Sequence, residues 1–471
     1  MMLKNEIKDV LELAQSNKDT LAHNEILFDI YEGDLLTYVL QDLKASLSPQ
    51  SYMAIQSRVS PVNILKRIVD KLSKIYSKPP IRSLGVESEA DKALFKMYND
   101  YMQPNNVFNM GDRFFNLFKN TLIEPYIYNG KPQARVVPSD RFFVYSNNPV
   151  DPMCPTHILK YMGKRKVNGT EEKVIYAYTD TEFLIINEKG DVLKELMGNN
   201  QEGINIYGKI PFVYVNRSHH RIIPTIDTDT LKMTKLIPIL LSDLNYAVMY
   251  QSFSVIYGVD VNFENIEMSP NAFWSLKSDE SSGKNPQIGT IKPQVDITQV
   301  LDFIASQITL WMQTKNIKSA GIATLKVENA SSGIAKAIDE MDTAEDRQEQ
   351  TIYFKEAEEK FWDLIINYMH PVWIQDPSFE LKVPFAIGQS VTVTFPEQKP
   401  IVDETAVIDN AIKKYQGGFI SKEQALQEMY PDKSEDEIDD MLEDAMEENG
   451  QDVEMPEQPE DQTVEVENYE Q

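Results

Sequence analysis

Residues 328–350 read ENASSGIAKAIDEMDTAEDRQEQ, and the fold turns on what such a stretch does in mid-chain. A loop of small residues runs into a helical pattern that continues to about Tyr368, with no Gly or Pro after Gly333. Ser331 or Ser332 is the expected N-cap, and Asp339, Glu340 and Asp342 follow near the end of the helix whose dipole favours acids. From Gly333 to Tyr368 is 36 residues, about 54 Å at the usual helical rise. A periodic run beyond about 25 residues points to a coiled coil, a repeat or an extended assembly. Heptads fail in MDTAEDRQEQ, which has too few apolar positions. The reading is therefore an assembly strut, or a helix kinked around residues 342–350.

Two further helices precede the loop. In the nearer one, Ile297, Val300, Leu301, Ile304, Ala305, Ile308, Trp311 and Met312 form one apolar stripe. Its other face is Thr298, Gln299, Asp302, Ser306, Gln307, Thr309 and Gln313, with Phe303 and Leu310 at the margins, so it is polar and without positive charge. In the other, from residue 229 to about 251, Met233, Leu236, Ile237, Leu240, Leu241, Leu244, Ala247 and Val248 step in the same way, and Pro238 bends it or marks its first turns. Between the two, residues 258–296 are turn-rich and read as a small α/β insertion.

The flanks have different characters. Residues 1–122 read as helices with turns; Ile64, Leu65, Ile68, Val69, Leu72 and Ile75 make one stripe, started by Ser60-Pro61 and stopped by Pro79-Pro80. Residues 123–217 hold short β-rich runs with hairpin signals at NGK (129–131) and EKGD (188–191), an antiparallel module of five to seven strands with Pro211 at the edge of the last. After the long helix, residues 376–398 give one or two strands. Three helices follow: Gly417-Gly418 ends the first, and Ser421 with Gln424 and Ser434 with Glu437 make capping boxes for the others.

Charge and composition narrow the function. Of the net charge of −27, residues 432–471 carry −17, from 18 acids and one lysine, leaving −10 for the other 431 residues. The segment 448–471 has little to bury and is expected to be a disordered acidic tail. The acidic body argues against a conventional nucleic-acid binder, which needs a basic footprint. The single cysteine, Cys154, rules out an internal disulfide. No apolar run of membrane-spanning length occurs, since LIPILL (236–241) stops at Ser242 and Asp243, and the first residues do not read as a signal peptide.

Catalytic motifs are missing. The Gly-Lys pairs at 130, 163, 208 and 283 are followed by Pro, Arg, Ile and Asn, so there is no P-loop. No G-x-G-x-x-G, H-E-x-x-H, C-x-x-C or G-x-S-x-G occurs. His219-His220 reads as a surface loop between strand and helix, and Asp339 with Asp342 as a solvated helix face. No cofactor or metal is expected.

The order of parts carries the assignment: helical N-terminus, β module, helix, small insertion, second helix, loop, very long helix, strand return, helical C-terminus, acidic tail. That order, with NILKRIVDKLSKIYSKPP, NIYGKIPFVYVNRS, SSGIAKAI and GGFISKEQALQEMYPDKSEDEID, resembles the portal protein of tailed bacteriophages, siphophage type, over about residues 20–445. The resemblance implies an α+β portal fold with a wing at 1–222 (β module from about 123) and stem helices at 223–257 and 297–316. It implies a clip at 258–296, a tunnel loop at 317–332, a spine helix at 333–375, a β return to the wing at 376–398 and a helical crown at 399–447. It implies a non-enzymatic ring of about twelve copies at one capsid vertex of the virion, assembled in the host cytoplasm and outside any membrane. The ring would conduct double-stranded DNA in packaging and ejection, and dock terminase and then a head-completion or adaptor protein. The major capsid protein and a scaffold are the capsid-side partners. The clip here is short. On this reading Lys315, Lys318 and Lys326, with Asn316 and Ser319, approach DNA. Ser331, Ser332 and Gly333 form the hinge from loop to spine, and Asn271, Phe273, Trp274, Lys277 and Lys284 offer the docking surface. The alternatives are a tail adaptor or other virion ring without DNA contact, or a metal-dependent phosphodiesterase using the acids near Asp339.

Overall fold

A computed structural model describes residues 2–86, 88–167, 169–252, 255–259, 287–291, 296–315, 333–396, 404–430 and 438. The N-terminal part is helical: α1 (Met2–Ser16), α2 (Lys18–Glu32), α3 (Leu35–Ser46), α4 (Pro49–Ile55) and α5 (Ile64–Leu72). A strand β1 (Ile81–Leu84) follows, then α6 (Glu89–Met102) and α7 (Pro104–Phe118). The β module comprises β2 (Asn120–Tyr128), β3 (Lys131–Val137), β4 (Phe142–Tyr145), β5 (His157–Val167), β6 (Thr170–Tyr178), β7 (Phe183–Ile186) and β8 (Val213–Asn216). Next come α8 (Thr228–Ser252), the pair β9 (Val255–Val259) and β10 (Gln287–Ile291), and α9 (Ile297–Gln313). The chain continues through α10 (Gly333–Asp363), α11 (His370–Trp373), β11 (Val391–Thr394), α12 (Glu404–Gln416) and α13 (Lys422–Met429). It divides into two compact units, Met1–Asn329 with Asp339–Gln398, and Ala330–Ile338 with Lys399–Gln471.

The expected antiparallel module is present, as two sheets of order β3-β2-β8 and β4-β5-β6-β7. The β2–β3 turn places Asn129 (φ 49°) and Gly130 (φ 74°) in the left-handed region that a two-residue hairpin needs. β8 lies at a sheet edge, where the preceding Pro211 withholds no donor from a neighbour. Glu124 on β2 ties the sheets together, accepting from Arg135 Nε at 2.6 Å and from Lys160 on β5.

Two details depart from the sequence reading. α5 begins at Ile64, with the Asn63 side chain accepting from Lys66 N at 3.3 Å, rather than at Ser60-Pro61. The segment read as wholly helical holds β1, which pairs antiparallel with β11 from Ile81↔Thr394 to Leu84↔Val391. The return segment, expected to give one or two strands, supplies that one, and FELKVPF before it is irregular.

α10 spans Gly333–Asp363 as one helix and passes directly into a π-helical segment, Leu364–Met369, and α11. Its second half lies in the main core: Phe354, Phe361 and Trp362 are fully buried among Tyr76, Phe95, Phe108 and Phe115. Edge-to-face ring contacts fill this core, among them Phe95–Trp362 at 4.7 Å and Phe108–Phe361 at 5.3 Å between centroids. Leu364, Ile365 and Ile366 are all buried, three consecutive residues that a single α-helical stripe does not turn inward together. The wider π turn accommodates them.

A buried ion pair is set into this core. Glu358 is 0 % exposed. It accepts from Arg82 Nε at 2.5 Å, from Arg82 Nη2 at 3.0 Å and from the Tyr76 hydroxyl at 2.6 Å. Burial pushes its carboxyl up, and Arg82 opposes that shift. Buried Gln389 mimics a strand neighbour, accepting from Val86 N at 2.9 Å and donating to Val86 O at 2.8 Å. Buried His370 donates from Nε2 to Val383 O at 2.8 Å, which leaves Nδ1 to accept from the Tyr98 hydroxyl at 2.6 Å.

In the second unit, α12 ends at Gly417-Gly418, with Gly417 N donating to Lys413 O at 2.9 Å and Gly418 at φ 70°. The Ser421–Gln424 capping box opens α13 as expected. The Ser434–Glu437 box and the acidic tail from residue 448 lie outside the described residues.

Replacing Glu358 with Gln strands the Arg82 guanidinium in the core and is expected to cost about 3–5 kcal/mol in denaturant unfolding. Arg82→Met with Glu358→Gln is expected to be milder than the single change. A loss below about 1 kcal/mol for Glu358→Gln contradicts this account of the core.

Candidate functional site

α8 and α9 run antiparallel, because Lys315 just past the end of α9 meets Asp227 just before α8 (Nζ–Oδ2, 2.6 Å). Their facing stripes are buried in part: Ile237 and Leu244 from α8 pack with Ile304, Ile308, Trp311 and Met312 from α9, whereas Leu236 and Val248, which the periodicity placed in the α8 stripe, are exposed. The third partner is α5, whose Ile64, Ile68 and Leu72 complete the cluster. Side-chain hydroxyls on either side of Pro238 take up backbone carbonyls of α8. Thr234 Oγ1 donates to Thr230 O at 2.7 Å, and Ser242 Oγ donates to Pro238 O at 2.6 Å. Ser242 Oγ also accepts from Ser60 N at 3.1 Å, fastening the segment before α5 to α8.

α9 is capped by Asp296, which accepts from Thr298 N at 3.0 Å and Gln299 N at 3.2 Å. Away from the core, Thr298, Gln299, Asp302, Ser306 and Gln313 are exposed, and Asp302 is the helix's one charged residue. The result is a two-helix wall with a greasy back, in which the exposed side of α9 is neutral to acidic.

An ion cluster anchors this wall. Asp227 meets Lys315 at 2.6 Å and Lys119, just past α7, at 3.7 Å, while Asp229 lies 3.6 Å from Lys315. Burial acts to raise the Asp227 carboxyl, but a hydrogen bond with Asp229 and the nearby Lys315 and Lys119 outweigh it and hold it well below the usual carboxylate range. Lys315 is thus held by a carboxylate and is only 21 % exposed.

Of the residues singled out from sequence, Lys315 takes that place and Gly333 is the first residue of α10. Asn316, Lys318, Ser319, Lys326, Ser331 and Ser332 lie outside the described residues, as do Asn271, Phe273, Trp274, Lys277 and Lys284. Asp339, Glu340 and Asp342 fall on α10, and their side chains are outside the description. Among the described residues no group of His, Cys, Asp and Glu could hold a metal. His219 pairs with the Tyr353 hydroxyl at 2.7 Å, in the bend after β8. No helix among the described residues is long and apolar enough to cross a membrane. Sequence reasoning missed Asp227 and Lys119; the only local signal was TIDTDT immediately ahead of the α8 stripe.

The model of the family "Phage portal protein, SPP1 Gp6-like" matches residues 12–451, and the chain belongs to that family of structural, non-enzymatic virion proteins. No curated protein matches the chain. Among solved structures it is similar to a chain of the "Virion of native gene transfer agent (GTA) particle", with 10% identity and a TM-score of 0.38, covering 82% of this chain and 97% of that one. It is also similar to a chain of the "Neck of empty GTA particle computed with C6 symmetry", with 10% identity and a TM-score of 0.39, covering 80% and 92%.

Asp227→Asn is expected to cost about 1–3 kcal/mol, the range for hydrogen bonds to charged groups, and to speed amide exchange around residues 310–315. Because the folded carboxyl is depressed, its contribution is complete above the ordinary aspartate pKa of about 3.9 and is lost as pH falls toward the folded value. The stability gap between wild type and variant should therefore stay constant from about pH 8 to about pH 5 and close in stronger acid. A gap that widens in acid contradicts the anchor.

Proposed function

We propose that copies of this chain assemble into a ring of about twelve at a capsid vertex and conduct double-stranded DNA through the centre. In that reading residues 1–222 with 376–398 are the wing, 223–257 and 297–316 the stem, 258–296 the clip, 317–332 the tunnel loop, 333–375 the spine and 399–447 the crown. The clip, through Asn271, Phe273, Trp274, Lys277 and Lys284, docks terminase and then a head-completion protein. Ser331, Ser332 and Gly333 let the loop move against the spine. Lys318 and Lys326, with Asn316 and Ser319, touch the DNA backbone in passing, and Lys315 joins them only when its Asp227 pair opens. The capsid protein and a scaffold meet the wing side.

The observation that carries this reading, beyond membership of the family, is the front of α9. A wall along which DNA slides must not hold phosphates, since each phosphate neutralised adds salt-dependent affinity. The exposed side chains there are Thr298, Gln299, Asp302, Ser306 and Gln313, and the cation at the helix end is taken up by Asp227.

Negative-stain images of purified protein are expected to show closed rings with a hole of about duplex width, binding duplex DNA weakly at physiological salt. Ser306→Lys with Gln313→Lys should preserve the ring, tighten DNA binding and steepen its log–log salt dependence by about 0.9 for each phosphate engaged. Rings whose DNA affinity and salt slope are unchanged by both lysines contradict conduction along this face.

A further inference from the structure

We infer that Asp112, with Asn116, Ser73 and Gln350, forms a proton-operated latch on α10 where that helix enters the core: a proton taken up by Asp112 fastens the helix to α7, and its loss loosens it. The latch is built within one copy and does not depend on the ring reading.

Gln350 is the first buried side chain of α10 among the described residues, one turn ahead of Phe354. What meets it there is polar. The Asn116 amide nitrogen on α7 lies 3.2 Å from Gln350 Oε1, 3.1 Å from Ser73 Oγ, and 3.0 Å from both Asp112 Oδ1 and Asp112 O. Four acceptors thus crowd a group that carries two protons. Asn116 Oδ1 is buried without a partner. Asp112 is fully buried, and its other oxygen accepts from Ile75 N at 3.2 Å. As a carboxylate, Asp112 adds only acceptors to this crowd. With a proton on Oδ1 it becomes a donor, and one competing acceptor is gone. The cluster therefore holds together best when Asp112 is neutral.

The electrostatic surroundings favour the same state. Glu358 has Arg82 in contact, whereas among the described residues Asp112 forms no ion pair. The charged and titratable groups around it act from farther off: Arg347 on α10; Arg113 on α7, which meets Asp70 at 3.5 Å; and Tyr76, whose hydroxyl donates to Glu358. Burial pushes the Asp112 carboxyl up to about 7, against opposing pulls from the Ile75 amide, Arg347, Asn116 and Arg113. When α10 lifts from α7, water reaches Asp112 and its carboxyl returns toward the ordinary value of about 3.9. The closed latch thus binds the proton more tightly than the open one. Below about pH 4 both are protonated. From there to about pH 7 the opening equilibrium grows by up to about tenfold per unit, and above that it is constant.

The test is amide exchange of the full chain read by mass spectrometry, with each rate divided by the intrinsic rate at that pH. For peptides covering residues 350–354 the opening equilibrium is expected to grow about fiftyfold from pH 5 to pH 7 and to level off by about pH 8. Asp112→Asn keeps an acceptor for Ile75 N and brings a donor to the cluster, and is expected to remove that slope. Arg347→Gln takes away a cation that favours the ionised carboxyl, and is expected to move the levelling point to higher pH. Residues 184–186 of β7, buried in a different cluster, report global unfolding and are expected to show neither effect. If Asp112→Asn does not fold, the wild-type profile and Arg347→Gln decide. A flat wild-type profile, a slope shared by residues 184–186 or kept in Asp112→Asn, or a levelling point unmoved by Arg347→Gln overturns the latch.

Discussion

Burying the broad apolar face of the second half of α10 and the segment after it is the constraint from which the rest follows. With Phe354, Phe361, Trp362, Leu364, Ile365, Ile366 and Met369 all buried and only Lys355, Glu356 and Lys360 among its charged residues left exposed, leaving that face at a surface would expose apolar area, at about 25 cal/mol per Å². The chain surrounds it with segments far apart in sequence: α6 and α7, the β8 edge of the module, and the β1–β11 ribbon. Glu358 makes that arrangement specific as well as stable. A carboxylate fully removed from water tolerates few positions other than the one where Arg82 and Tyr76 meet it.

The paired helices depend on the same scaffold through α5 and α7. Hydrophobic burial against α5 decides which face of α8 and α9 points inward, and therefore which face is left polar. The Asp227 cluster decides the register of one helix on the other, and Lys119 links that register to the end of α7. Packing and electrostatics thus have separate tasks at this junction. The division explains how α9 can be anchored without carrying cations on its exposed side.

Much of this was legible in the sequence, for identifiable reasons. The stripes of α5, α8 and α9 are periodic, and periodicity survives whatever the partner is. The Asn129-Gly130 hairpin and the Ser421–Gln424 cap are set by local backbone chemistry. What escaped depends on distant partners. β1 is four residues long and gains its strand character only from β11, more than 300 positions later. Lys315 was visible as a cation near the loop, but its carboxylate lies 88 residues away. The π segment answers a three-dimensional need to bury Leu364, Ile365 and Ile366 together, and no local signal announces it.

The central claim is that the cation-free front of α9 lines a passage through a multi-copy ring. A three-dimensional cryo-EM reconstruction of the assembled protein tests it most directly, by the direction in which that helix faces. The expected result is a ring with Asp302, Ser306 and Gln313 of every copy turned to the central hole and Ile304, Ile308 and Trp311 turned away toward α5. A reconstruction in which those polar residues face outward, or in which another element lines the hole, contradicts the account.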